Sequence, residues 1–155
     1  MLKTLLELNL NEQLPASDWI KITQKDIDLF AQATGDHQWI HVDPERCAKE
    51  SPFKATIAHG YLTVTLMPSA FYHMFAADPQ YKTILNYGVD KIRFLEPVRV
   101  NEQIRFISTL SHIVQKNSGC LFYFDTEAQI EGKNKPAMKG TFLMLLVGAT
   151  LAEKQ

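Results

Sequence analysis

The stretch from Ala33 to Asp43, ATGDHQWIHVD, places two carboxylates and two imidazoles within one short segment. Near neutral pH an imidazole takes up and releases protons, and a neighbouring carboxylate can orient it or share its proton, so the pair is suited to general acid–base chemistry. Asp36 and His41 are five residues apart. A continuous α-helix would set them about 140° apart around its axis. Their convergence therefore needs an irregular backbone, which a break at Gly35 allows. His37 and His41 are the opposite case, because a spacing of four brings them to one face only in a helix, as a metal-binding pair requires. The two readings demand different backbones. A metal site from His37, His41 and His59 would need all three in defined geometry, and none is expected.

A second feature is TIAHG, Thr56 to Gly60, at the start of a long stretch without charge. The first amides of a helix lack intrahelical partners and carry the positive end of its dipole. They can therefore bind a carbonyl oxygen that becomes negative during a reaction. Gly60 has no side chain to block the approach. A carboxylate, an imidazole and an amide donor are the parts needed to handle a proton α to a thioester carbonyl while placing water at the β carbon. His59 is a candidate for orienting this loop or for plain packing. His73 and His112 have no motif around them.

The elements that must position these groups are legible in outline. DWIKIT, Asp18 to Thr23, alternates as a short strand. Thr23 then caps a helix over about residues 24 to 34, with Asp26 in its first turn and Gly35 as its stop. Asp43 caps a second helix, PERCAKE, which Pro44 opens and Pro52 bars from extending. Ala55 to Ala77 contains no Asp, Glu, Lys or Arg. Its threonines, histidines and Pro68 speak against a membrane span, so it is expected to form a helix buried on nearly all sides. Four strand-like segments follow: TILNYGVDKIRFLEPV, EQIRFISTLSHIVQ, CLFYFDTEAQIE and AMKGTFLMLLVG. In the third, Phe122, Phe124, Thr126, Ala128 and Ile130 share one face, and Tyr123, Asp125, Glu127 and Gln129 share the other. Short turns between successive strands imply a largely antiparallel, curved sheet wrapped around the long helix, an α+β arrangement. Ala77 to Asn86 reads as a loop beyond that helix and a candidate cover for a tunnel. TFLMLLVG suits either a sheet interior or a subunit contact.

Composition narrows the function classes. The 155 residues suit a single domain, and a formal net charge of -1 gives no bias toward nucleic acid or an anionic membrane. Cys47 and Cys120 form neither a CxxC pair nor a metal-ligand spacing. With no secretory signal at the N-terminus, a reducing, cytoplasmic location is expected.

ATGDHQWIHVD, SPFKATIAHGYL and LNYGVDKIRF together resemble the MaoC-type dehydratases and (R)-specific enoyl-CoA hydratases, and within them the NodN-like branch. The resemblance spans about residues 18 to 148. It implies a hotdog fold, a homodimer with active sites at or near the subunit interface, and an acyl thioester of CoA or a carrier protein as substrate, with no metal or redox cofactor. It implies catalytic roles for Asp36 and His41, an oxyanion-binding amide at Gly60, and substrate-contacting positions at Gln38, Trp39, Ala58 and His59. Family members commonly carry Asn-Pro where this chain has Gln38-Trp39. The activity implied is reversible hydration of a trans-2-enoyl thioester to a 3-hydroxyacyl thioester. The alternatives are a thioesterase and a non-catalytic acyl-thioester-binding or scaffold subunit. Which of Asp36 and His41 gives the proton and which takes it is left open.

Overall fold

The computed structural model describes residues 1–152. A short 3-10 turn at Leu5–Glu7 is followed by β1 (Ile20–Lys21), α1 (Gln24–Thr34), α2 (Trp39–Val42), α3 (Pro44–Glu50) and α4 (Gly60–Phe71). The long strands β2 (Ile84–Phe94), β3 (Gln103–Lys116), β4 (Gly119–Ile130) and β5 (Met138–Val147) complete the chain. All pairings are antiparallel, in the order β1-β3-β4-β5-β2.

The alternation expected of β4 sets its faces: Phe122, Phe124, Thr126, Ala128 and Ile130 are buried, while Asp125 is exposed and its odd-numbered neighbours are half-buried. Phe71 of α4 meets Phe124 edge-on, with ring centroids 4.6 Å apart, and Leu62, Met67 and Ala70 join the same core. The helix thus lies on the core face of the antiparallel sheet. The sheet covers only one side of it. Tyr61, Thr65 and Ser69, spaced four apart, form an exposed stripe, so the expectation of burial on nearly all sides is corrected.

The uncharged run is also not all helix. Residues 55–59 form an extended strap whose backbone is engaged elsewhere: Ile57 N–H donates to the Ile40 carbonyl, Ala58 N–H to Val98 and Val100 N–H to Thr56. Those bonds hold the strap out of helical geometry until Gly60. No helix among the described residues is long and apolar enough to cross a membrane. β1 is shorter than DWIKIT suggested. Ser17 and Ile22 still bond to Phe106 and Glu102, so the segment follows β3 with an interrupted ladder. The expected loop after α4 ends at Thr83, because Ile84–Asn86 already pair in β2. β5 lies between β4 and β2, in the sheet interior.

Candidate active site

Four local features bring the chemistry of residues 33–60 together. Thr23 and Asp26 form a reciprocal capping box at the start of α1, and Gly35 ends it in the left-handed conformation at φ 81°. The chain is then irregular until Trp39, where one helical turn presents His41. Gln24, in the first turn of α1, donates to the His41 carbonyl at 2.8 Å and accepts from the Thr56 hydroxyl. It thereby fastens α1 to both α2 and the strap.

His41 is 7% exposed, and its Nδ1 lies 2.7 Å from the Ile57 carbonyl oxygen. A carbonyl can only accept, so Nδ1 carries the hydrogen and Nε2 is left with a free lone pair. Burial holds the pKa of His41 below its ordinary 6.5. The bond to Ile57 and the Asp36 carboxylate oppose that shift, and His59 adds to it. His41 lines a cavity of about 250 Å³ with Ala58, Gly60, Thr63, Phe94 and Val98.

Asp36 does not line that cavity; its side chain is 53% exposed and accepts from the Gln38 amide at 3.3 Å. It is thus both a turn residue and a free carboxylate near the imidazole. Donor atoms of Asp36, His41 and His59 all lie within 4.8 Å of one another. The irregular backbone that the acid–base reading required is therefore present. The helical His37/His41 pair is not, because His37 precedes α2 and lines a separate groove with Gln24 and Asp28. As for a metal, Nε2 of His59 lies 4.0 Å from Asp36 Oδ2 but is already committed to the Asp36 carbonyl, and Nδ1 of His41 is committed to Ile57. The ring nitrogens left uncommitted at this cluster, among the described residues, are Nε2 of His41 and Nδ1 of His59.

Gly60 is the first residue of α4. His59 offers no side-chain cap, and the Gly60 amide donates to no group among the described residues. The missing side chain serves a neighbour: a Cβ on Gly60 would come 2.7 Å from the ring of Phe94. Of the substrate-contacting candidates, Ala58 lines the cavity and the others do not. Gln38 is exposed, Trp39 packs under the Arg46 guanidinium at 4.2 Å from its ring centre, and His59 lies behind His41. Ala77–Asn86 does not line the cavity either. Sequence reasoning missed Gln24 and the Ile57 carbonyl. A glutamine at a helix start and a main-chain oxygen carry no signature of their own.

Comparison with known proteins places the chain in a family. Residues 7–120 match the MaoC like domain family. The chain is 44% identical over 127 residues to 3-hydroxyacyl-thioester dehydratase Z of Mycobacterium tuberculosis, covering 81% of this chain and 83% of that protein. It is 38% identical over 138 residues to Nodulation protein N of Rhizobium leguminosarum bv. viciae, covering 88% and 86%. In fold it is similar to the unliganded R-hydratase PhaJ1 from Pseudomonas aeruginosa, with a TM-score of 0.74 at 23% identity over 91% of this chain and 83% of that one. The likeness in structure shows the hotdog fold, and the match in sequence goes further: the chain belongs to the MaoC-like dehydratase family.

Proposed function

We propose that the protein is a hydro-lyase that reversibly adds water across the double bond of a trans-2-enoyl thioester, giving a 3-hydroxyacyl thioester. One observation carries the reading: His41, its Nδ1–H tied to Ile57, lines the same cavity as Gly60, whose amide is uncapped. With the thioester carbonyl on the Gly60 N–H, C3 of the acyl chain comes within reach of a water held between His41 and Asp36. His41 Nε2 takes a proton from that water as its oxygen bonds to C3, while Asp36 accepts the second hydrogen bond and orients the attack. Negative charge moves to the thioester oxygen, where the amide stabilises it. The enolate collapses as C2 takes a proton back from the Asp36–His41 pair, which ends as it began. This division of labour assigns the base role to His41, because its tautomer leaves Nε2 able to accept. No metal or redox group is needed for these steps.

The dehydratase named among the relatives at 44% identity supports the same reaction class. Association into a homodimer through the exposed apolar side of β2 belongs to the same proposal. So does a reducing, cytoplasmic setting, which the two buried free cysteines favour.

The test is to mix the protein with crotonyl-CoA and with longer trans-2-enoyl-CoA esters and follow loss of the conjugated-thioester absorbance. Asp36→Asn and His41→Ala are run in parallel and should each lower turnover about 100-fold or more, with folding intact. Release of free thiol at the same rate as the absorbance loss would mean thioester hydrolysis instead. Full activity in either variant would sink the assignment of the pair.

A further inference from the structure

His59 does not line the cavity, yet it is 3% exposed and touches both members of the proposed pair. Its ring stacks on His41 with centroids 3.8 Å apart and an interplanar angle of 23°. Phe30 of α1 closes the neighbouring side at 4.9 Å. Nε2 is 2.9 Å from the main-chain carbonyl oxygen of Asp36, so it carries the hydrogen and donates it there. Nδ1 is then a buried acceptor with no partner among the described residues. The ring has one directed hydrogen bond to give and gives it to the residue before His37.

That bond has no substitute. Every other hydrogen bond of residues 35–38 runs to a residue no more than four positions away: Gly35 to Ala31, Asp36 to Thr34, His37 to Gly35, Gln38 to Asp36, and His41 back to Gln38. Two of these, at 3.4 and 3.3 Å, are long. Among the described residues, no other hydrogen bond reaches the loop from the body of the protein. Packing alone would be served as well by an apolar ring, which would leave no nitrogen unpaired in the interior.

We propose that His59 is a positioning residue, which anchors the Asp36 carbonyl with its Nε2–H while its ring buttresses His41 and so fixes the carboxylate against the imidazole. This deepens the hydratase reading and rests on it. Two substitutions separate the bond from the packing. His59→Phe keeps a ring between Phe30 and His41 but has no donor. His59→Gln places an amide N–H near the position of Nε2.

The readouts are kcat and KM for enoyl-thioester hydration, the melting temperature, and hydrogen exchange of the amides of residues 36–38 in the absence of substrate. His59→Phe should melt close to the wild type, lose about 10- to 100-fold in kcat with little change in KM, and exchange faster at residues 36–38. His59→Gln should recover most of kcat and of the protection. Should His59→Phe fail to fold, His59→Met against His59→Gln makes the same comparison. A purely structural histidine predicts that activity tracks melting temperature, with the ring-preserving variant the better one, and that result would overturn the proposal. So would wild-type kcat in His59→Phe. If the wild type hydrates no thioester, the proposed reaction fails, and the exchange comparison still decides whether His59 anchors the loop.

Discussion

A single tautomer organises the chemistry at the scale of the residue. Because Ile57 takes the Nδ1 hydrogen of His41, the only lone pair on that ring is the one at Nε2. Burial then keeps the ring neutral to lower pH than a free imidazole. The expected consequence is an acid limb of kcat/KM that lies below pH 6.5, since the base stays competent until the proton overcomes the desolvation. An acid limb at or above 6.5 would contradict the role given to His41. The same shift bears on stability. Above pH 6.5 both folded and unfolded chains hold His41 neutral; as pH falls through 6.5 the unfolded chain takes its proton first, so stability is lost until the lower folded value is passed. Asp36, His41 and Gly60 stand out in the sequence as candidates because each bears its chemistry in its own residue type within a short motif. The bonds of Ile57 to His41 and of His59 to Asp36 could not. They join residues sixteen and twenty-three positions apart, and in one a main-chain oxygen and in the other a ring nitrogen of ordinary sequence context does the work.

Legibility at the scale of elements follows the range of the forces involved. α1 and α3 are set by their own ends: Thr23, Asp26 and Gly35 bound the first, and Asp43 with Pro44 starts the second. β3 and β4 follow the two-residue alternation of their own side chains, and the buried Ser108–Thr126 hydroxyl bond at 2.9 Å pins the register of one against the other. The start of α4 is different. Whether residues 55–59 coil or extend depends on Val98 and Val100, some forty positions later, and no local pattern reports that. The exposed stripe on α4 was hidden for a related reason, as a low-charge helix looks the same whether a sheet covers it on one side or on all. The helix start also meets β2, whose last residue, Phe94, lays its ring where a side chain on Gly60 would stand. Gly60→Ala should therefore push that ring outward. Phe94 is already half-exposed and can yield, so the stability loss should sit near the low end of overpacking, about 1 kcal/mol. Turnover should fall much further, because the displaced ring and the new methyl both crowd the amide proposed to receive the thioester oxygen. A variant with normal turnover would show that the Gly60 amide is not that donor. A fall in melting temperature as large as a core cavity causes would show that Phe94 cannot move.

The whole molecule exposes more surface than its size warrants. Its accessible area is 9023 Å² for 17.7 kDa, whereas a compact monomer of that mass is expected to show about 7,900 Å². β2 is an exposed edge of the sheet, eleven residues long, and Leu85, Tyr87, Val89 and Phe94 along it are about half-exposed. An edge that long and apolar invites another strand, and a two-fold axis through it would pair β2 with β2 of a second copy and continue the sheet. Phe94 at the end of β2 and Leu95 just beyond it also line the cavity of His41, so the surface proposed to join two copies runs into the site. The wild type should accordingly behave in light scattering as twice 17.7 kDa, with a melting temperature that rises with protein concentration. Val89→Lys, which puts a charge on the edge where strands would meet, should shift the population to monomer at micromolar concentration and lower hydratase turnover with it. If the wild type is monomeric at every concentration while fully active, β2 is not an interface. If Val89→Lys is monomeric yet turns over like the wild type, the two sites are independent of the contact.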